Sequence, residues 1–219
     1  MDGLVLAELF TSQGCSSCPP ADVVMGELSK RADVLALSYH VDYWDGLGWK
    51  DTYGSPNYTA RQQQYAAVSG FRVYTPQLVV EGSRDLVGSD RSSVLSKIEQ
   101  AHTVLVHAPI SLVRKPGQKL EINIGKAPII KSVASGEIMV VSFDAKNETN
   151  VKAGENAGRQ LAYYNVVRSI RKIGSWDNQA LHLTESLTED ENGRNVAVFV
   201  QAADGTVWAV AASSVLSHS

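Results

Sequence analysis

Cys15 and Cys18, in Gly14-Cys15-Ser16-Ser17-Cys18-Pro19-Pro20, are the only two cysteines of this 219-residue chain. Two thiols at this spacing can close a small disulfide or clamp a soft metal. An apolar run, Leu4 to Phe10, precedes them and a helical pattern follows them. Strand, loop, Cys-x-x-Cys, helix is the order of a redox motif rather than of a zinc ribbon. A cysteine at a helix start faces unsatisfied N–H groups and the positive end of the dipole, both of which favour the attacking thiolate. Cys15 is then the nucleophile and Cys18, one turn on, resolves the mixed disulfide. The plainer alternative is a structural disulfide.

A second element is Thr75-Pro76, directly ahead of the apolar run Gln77 to Glu81. We expect a cis bond there, with backbone groups brought against the cysteines. The alternative is a trans proline opening an edge strand.

The elements that must hold these residues follow from periodicity. Leu4 to Phe10 reads as a buried strand. Pro19 and Pro20 fall in a first helical turn, where a missing N–H does no harm. Ala21, Val24, Met25 and Leu28 then recur at helical spacing. Val34 to Val41 is a second strand, and Asp42 to Tyr58 an ordered, aromatic-rich insert. A helix over Thr59 to Val68 stops at Gly70. Gly82 turns the chain into a short strand at Leu86 and Val87. Asp90 caps a helix running to about Leu105. Strands separated by helices predict parallel pairing, with an antiparallel edge at the Gly82 hairpin.

Beyond Ala108-Pro109 the runs 110–113, 119–124, 137–143, 196–202 and 207–212 alternate or stay apolar between turns. Asp204-Gly205 marks a hairpin. We therefore expect an α/β chain (α+β overall). A thioredoxin-like domain would span 1–107, and a small β-rich, sandwich-like domain 108–219, with a short helical segment near 157–173.

Lys plus Arg total 20 against 23 Asp plus Glu, a net charge of −3. No basic field exists to grip a phosphate backbone, so nucleic acid is a poor partner. No apolar run reaches the roughly 18 residues of a membrane span. Met1-Asp2-Gly3 lacks the regions of a signal peptide. Two expectations follow: a cytoplasmic protein, or a periplasmic or secreted one whose leader was removed.

The Cys-x-x-Cys at a helix start, with Thr-Pro ahead of a strand hairpin and a last helix, resembles the thioredoxin fold. The run Glu8-Leu9-Phe10-Thr11-Ser12-Gln13-Gly14-Cys15-Ser16-Ser17-Cys18-Pro19-Pro20-Ala21-Asp22 is more specific. With His40-Val41-Asp42-Tyr43-Trp44-Asp45, Gly154-Glu155-Asn156 and Asn165-Val166-Val167-Arg168, it resembles bacterial domain-of-unknown-function family 1223, a thioredoxin-like family. Secretion leaders are usual there, which implies export; no substrate is implied. Ser16-Ser17 replaces the Gly-Pro of thioredoxin, leaving the redox direction open. The Trp that precedes the thioredoxin motif is missing.

The resemblance also implies that a buried acid on the first strand relays protons to the second cysteine. Glu8 is the candidate, one position out of place, and a buried carboxyl there would have a raised pKa. The alternative is a strand-end carboxylate in solvent. His40 and Asp42 end the second strand. With Cys15 and Cys18, His40 offers a soft copper or zinc site, against the simpler reading of a hydrogen-bonded strand-end pair. Trp44 and Trp49 could wall a peptide site or pack the insert. Asp42, Arg159, Asn165 and Arg168 are further substrate-binding candidates, set against a domain-bridging cluster. His102, His107, His182 and His218 are scattered, and Glu189 to Gly193 reads as a solvated turn. The leading expectation is a thiol–disulfide oxidoreductase acting on protein or peptide thiols through Cys15, Cys18, Thr75 and Pro76, with no cofactor. A metal carrier and a non-catalytic binding module with a structural disulfide are the alternatives.

Overall fold

The computed structural model describes residues 3–104, 106–128 and 135–214. The chain is a mixed α/β protein of the α+β kind. Its first half runs β1 (Val5–Thr11), α1 (Pro19–Leu28), β2 (Val34–His40), α2 (Pro56–Ser69), β3 (Gln77–Val80), β4 (Arg84–Val87) and α3 (Arg91–Val104). A single 3-10 turn, Asp45–Leu47, lies in the aromatic insert. The second α-helix starts three residues earlier than its periodicity suggests. Ser55 accepts the N–H of Asn57, and Pro56 occupies the first turn. Asp90 caps α3 as expected, accepting the Ser93 N–H at 3.1 Å. The expected end of that helix, Leu105, and His218 lie outside the described residues.

The second half adds β5 (Ile110–Lys115), β6 (Lys119–Ile124), β7 (Gly136–Asn150), β8 (Gln160–Trp176), β9 (Leu181–Ser186), α4 (Glu189–Asn192), β10 (Asn195–Gln201) and β11 (Val207–Ser213). The segment expected to be helical near 157–173 is instead β8, antiparallel to β7 along nearly its whole length. Its Leu161, Tyr163, Val166 and Val167 bury against strand neighbours, and that pairing decides the state of a sequence without strong alternation. Glu189 to Asn192 is one helical turn, boxed by Thr188 and Glu191, and not a fully solvated one. Glu191 is buried and holds Arg171 at 2.9 Å.

One sheet contains strands of both halves, in the order β11-β10-β7-β8-β2-β1-β3-β4. The junction is narrow: β8 meets β2 in parallel at Ser38 and Val166. Gly26 of α1 packs on the ring of Tyr164, and a Cβ at that position would stand 2.6 Å from it. The first and second strands are parallel as expected. β3, however, runs antiparallel to β1 despite the intervening helix. A second sheet, β5-β6-β9, covers one face of β7, β10 and β11. Ile122, Ile124, Val140, Val198 and Val200 fill the space between them, so this half is sandwich-like.

The two faces of the large sheet bury different residues, because successive strand side chains alternate. Val5, Ala7 and Leu9 of β1 meet α1 and α3, whereas Leu6 and Phe10 meet the aromatic core beneath α2. On β2, Val34 and Ala36 share the α1 face, and Leu35, Leu37 and Tyr39 the α2 face. This parity sorts the polar residues too. Thr11, Ser38 and His40 fall on the α1 side; Glu8 falls on the other.

Candidate functional site

Cys15 and Cys18 are joined by a disulfide within the turn that leads into α1, and neither exposes measurable surface. The helix begins after the pair, not at Cys15. Cys18 is the N-cap and Pro19 and Pro20 follow it. The first available helical N–H groups, of Ala21 and Asp22, both bond back to the Cys18 carbonyl at 2.8 and 3.2 Å. The helix N-terminus therefore offers Cys15 no free N–H. Its polar neighbours are side chains: Thr75 Oγ1 donates to Cys15 Sγ at 3.3 Å, and Ser17 Oγ lies at 3.3 Å. The Thr75-Pro76 bond is cis. Trp44 donates its indole N–H to Thr75 Oγ1 at 2.9 Å.

The connection between β7 and β8 reaches over the cysteine turn. Its Asn156, fully buried, donates to the carbonyls of Cys15 at 2.9 Å and Gln13 at 3.0 Å. Arg159 holds the Asn156 amide oxygen at 2.8 Å. Glu155 accepts the Ser16 N–H at 3.1 Å, and the Ser16 hydroxyl together with this N–H holds its carboxyl below the ordinary value. Sequence reading singled out the Gly154-Glu155-Asn156 stretch but gave Glu155 and Asn156 no role. Turn-forming residues are ambiguous until the turn is placed.

Below the pair lies a buried polar layer. Gln13 donates its backbone N–H to Asp51 Oδ2 at 2.7 Å and accepts the Trp49 indole N–H at 2.8 Å. Trp49 thus packs the insert onto the site's base. His40 Nδ1 stands 2.8 Å from the same Asp51 oxygen, both side chains fully buried. The partner of His40 is Asp51, not Asp42; Asp42 is held by Thr59 Oγ1 at 2.6 Å. Burial alone would raise the Asp51 carboxyl. His40 and the N–H groups of Gln13 and Tyr53 outweigh it and hold the carboxyl below its ordinary value. Asp22, four residues after Cys18, is also buried and accepts from Thr11 Oγ1 at 2.9 Å. Desolvation pushes its carboxyl up to about 7, against the opposing pull of His40 and Thr11.

Glu8 is buried too, but it is not brought to the cysteines. It forms a two-pronged pair with Arg61 at 2.8 and 2.9 Å and accepts from Tyr65. Its place on the even face of β1 sends it toward α2. Asn165 donates to the Ala36 carbonyl at 2.8 Å, tying β8 to β2. Arg168 lies over the Tyr53 ring at 5.2 Å and is 3.8 Å from Asp144. Of the substrate-binding candidates, Trp44 and Arg159 reach the cysteine turn through one intermediary each. For Asp42, Asn165 and Arg168 the bonds run elsewhere. His102 and His107 pair with Asp33 and Glu81, and His182 with Asn123. Among the described residues, no group of three or more His, Cys, Asp or Glu side chains is placed to hold a metal ion. Nor is any helix there long and apolar enough to cross a membrane.

No curated protein matches this sequence. Among solved structures, protein AGR_C_4864 from Agrobacterium tumefaciens is similar, with 30% identity and a TM-score of 0.83 over 100% of this chain and 96% of that one. HBP35 of Porphyromonas gingivalis is similar in fold, with a TM-score of 0.69 and 14% identity over 98% of this chain and 76% of that one. The family model described as "Protein of unknown function (DUF1223)" matches residues 6–201, and the chain belongs to that family.

Proposed function

We propose that this chain is a thiol–disulfide oxidoreductase built on a thioredoxin-like domain and acting on protein or peptide thiols. The observation that carries the reading is the contact between the Cys-x-x-Cys pair and the cis Thr75-Pro76 segment, with Thr75 Oγ1 3.3 Å from Cys15 Sγ. A disulfide that touches a polar segment at the mouth of a sheet has a donor ready for the charged sulfur that exchange produces. The order of strand, Cys-x-x-Cys, helix, strand, helix, cis-proline, hairpin and helix supports the thioredoxin-like assignment.

Cys15 attacks a substrate disulfide in the reduced protein, Cys18 then attacks Cys15 Sγ, and the substrate leaves as a dithiol. In the oxidised protein the same steps run in reverse. Turnover of insulin or a disulfide peptide by wild type and Cys15→Ser tests the reading. Activity in wild type and its loss in Cys15→Ser are the expected results; no turnover by wild type with any redox partner removes it.

The burial of both sulfurs and the Glu155–Asn156 cover favour a second reading, a binding module whose disulfide only locks the turn. A reduction potential below about −300 mV, where structural disulfides lie, would select it.

A further inference from the structure

Of the nine buried side-chain polar atoms without a hydrogen-bond partner among the described residues, three fall together near the cysteine turn: Asp22 Oδ2, His40 Nε2 and Tyr163 Oη. Their residues belong to one region. The rings of His40 and Tyr163 meet edge to face at 4.7 Å. Asp22 lies close enough to feel His40 and Asp51, and Tyr163 close enough to feel Asp22 and Asp51. Buried polar atoms are nearly always paired, so three unpaired ones together mark a place where protons or polar atoms are exchanged.

Asp22 connects this region to the cysteines. It follows Cys18 by one helical turn on α1, and residues so spaced have Cβ atoms about 5–6 Å apart on one face. Thr11 fixes one carboxylate oxygen at 2.9 Å and leaves the other free. Asp22 also lines a groove of about 560 Å³ between α1 and β8, with Pro20, Arg159 and Tyr164 among its walls. It thus stands between the resolving cysteine and a route to solvent away from the Thr75-Pro76 side.

Resting on the redox reading above, we propose that Asp22 is the acid–base group of Cys18, with His40 oriented by Asp51 as the positioning residue behind it. In the mixed disulfide, the Cys18 thiol gives its proton to the Asp22 carboxylate. The Cys18 thiolate attacks Cys15 Sγ, a Cys15–Cys18 bond forms, and the bond from Cys15 to the substrate sulfur breaks. The substrate leaves as thiolate and takes a proton from solvent, while Asp22 returns its proton by the α1–β8 groove. The groups facing Asp22 are Thr11 from β1, His40 from β2, Asp51 from the insert and Tyr163 from β8, with Arg159 acting on Tyr163. His40 and Thr11 favour its charged form, Asp51 and burial its neutral form. These opposed influences set a carboxyl that can both take and return a proton near neutrality.

The test uses reduced protein and a chromogenic aryl disulfide. Release of the first aryl thiolate reports attack by Cys15, and release of the second reports attack by Cys18. Asp22→Asn is expected to leave the first phase unchanged and to slow the second by on the order of 10²-fold at pH 7. In wild type the second phase should persist well below the pH at which an ordinary thiol ionises, about 8.5; in Asp22→Asn it should follow that ionisation. Coincident second phases across pH overturn the proposal.

A missing first phase would count against the redox reading, not against this one, which is then decided by thiol titration. In Cys15→Ser, Cys18 should ionise in two coupled steps that collapse to one when Asp22→Asn is added, and superimposable curves overturn the assignment. If Asp22→Asn does not fold, Thr11→Val takes its place. It should slow the second phase several-fold, and an unchanged second phase overturns the proposal.

Discussion

The indole N–H of Trp44 points at Thr75 Oγ1, 2.9 Å away, and so fixes which way that hydroxyl presents its own hydrogen. With an acceptor lone pair of Thr75 taken, its O–H is left for Cys15 Sγ at 3.3 Å. The aromatic insert therefore serves the sulfur through one hydroxyl. If Cys15 attacks as a thiolate, as the redox reading requires, its charge strengthens this hydrogen bond. Thr75→Val should slow the first exchange with a small disulfide about tenfold at pH 7. Trp44→Phe should have a smaller effect in the same direction. Stopped-flow thiol exchange measures both. Equal rates in Thr75→Val and wild type would show that the hydroxyl does not stabilise the thiolate.

Asn156 holds two carbonyls of the cysteine turn from a strand connection far along the chain. Asn156→Ala leaves both without their amide donor in a fully buried place. We expect a loss of about 1–3 kcal/mol in stability by urea unfolding and faster reduction of the disulfide by dithiothreitol. An unchanged reduction rate alongside lowered stability would mean that the connection does not shield the sulfurs.

The Glu8–Arg61 pair lies apart from the cysteine turn and carries a purely structural prediction. Arg61 lies over the rings of Tyr65 and Phe199 at 5.0 and 5.2 Å and also bonds Gln201, so it ties α2 to both halves of the sheet. Arg61→Met strands a buried carboxylate and should cost about 3–5 kcal/mol. The double change Glu8→Gln with Arg61→Met should recover much of that. Chemical denaturation of the two variants decides it, and a double variant no more stable than the single one argues against a stranded charge.

Asp22 has a pH consequence whose sign is fixed. Its carboxyl titrates near 7 in the folded protein against 3.8 as its ordinary value, so between those pH values the folded state binds the extra proton. The stability this group contributes is complete below the lower value and is lost as pH rises through the upper one. Asp22→Asn should therefore be more stable than wild type at pH 8, by a few kcal/mol at most, and closer to it at pH 4. Urea unfolding at the two pH values is the measurement. A difference independent of pH would show that Asp22 does not titrate between them.

Much of this architecture is legible in the residues themselves. The Cys-x-x-Cys turn, the two prolines after it, the Thr-Pro ahead of a strand and the cap at Asp90 are local signals, and local sterics and hydrogen bonding decide them. The strand β8 was not legible. Its run from Gln160 to Trp176 carries no strong alternation, because β7 supports it on one edge and α1 and β2 meet parts of it on the other.

The carboxylates show the division most clearly. Sequence alone marks Glu8 as an acid in an apolar strand and makes it the relay candidate, while Asp22 is only the last residue of the run that carries the family resemblance. Strand parity turns Glu8 to the α2 face, where Arg61 neutralises it, and turns Thr11 and His40 to the face where Asp22 lies. The choice of Asp51 over Asp42 as the partner of His40 likewise rests on how the insert folds back to bond Gln13. The residues alone narrow the chemistry open to the two sulfurs and order the elements around them. Which buried acid, amide and hydroxyl surround them follows from the packing of the fold, because burial and face are set by partners distant in the chain.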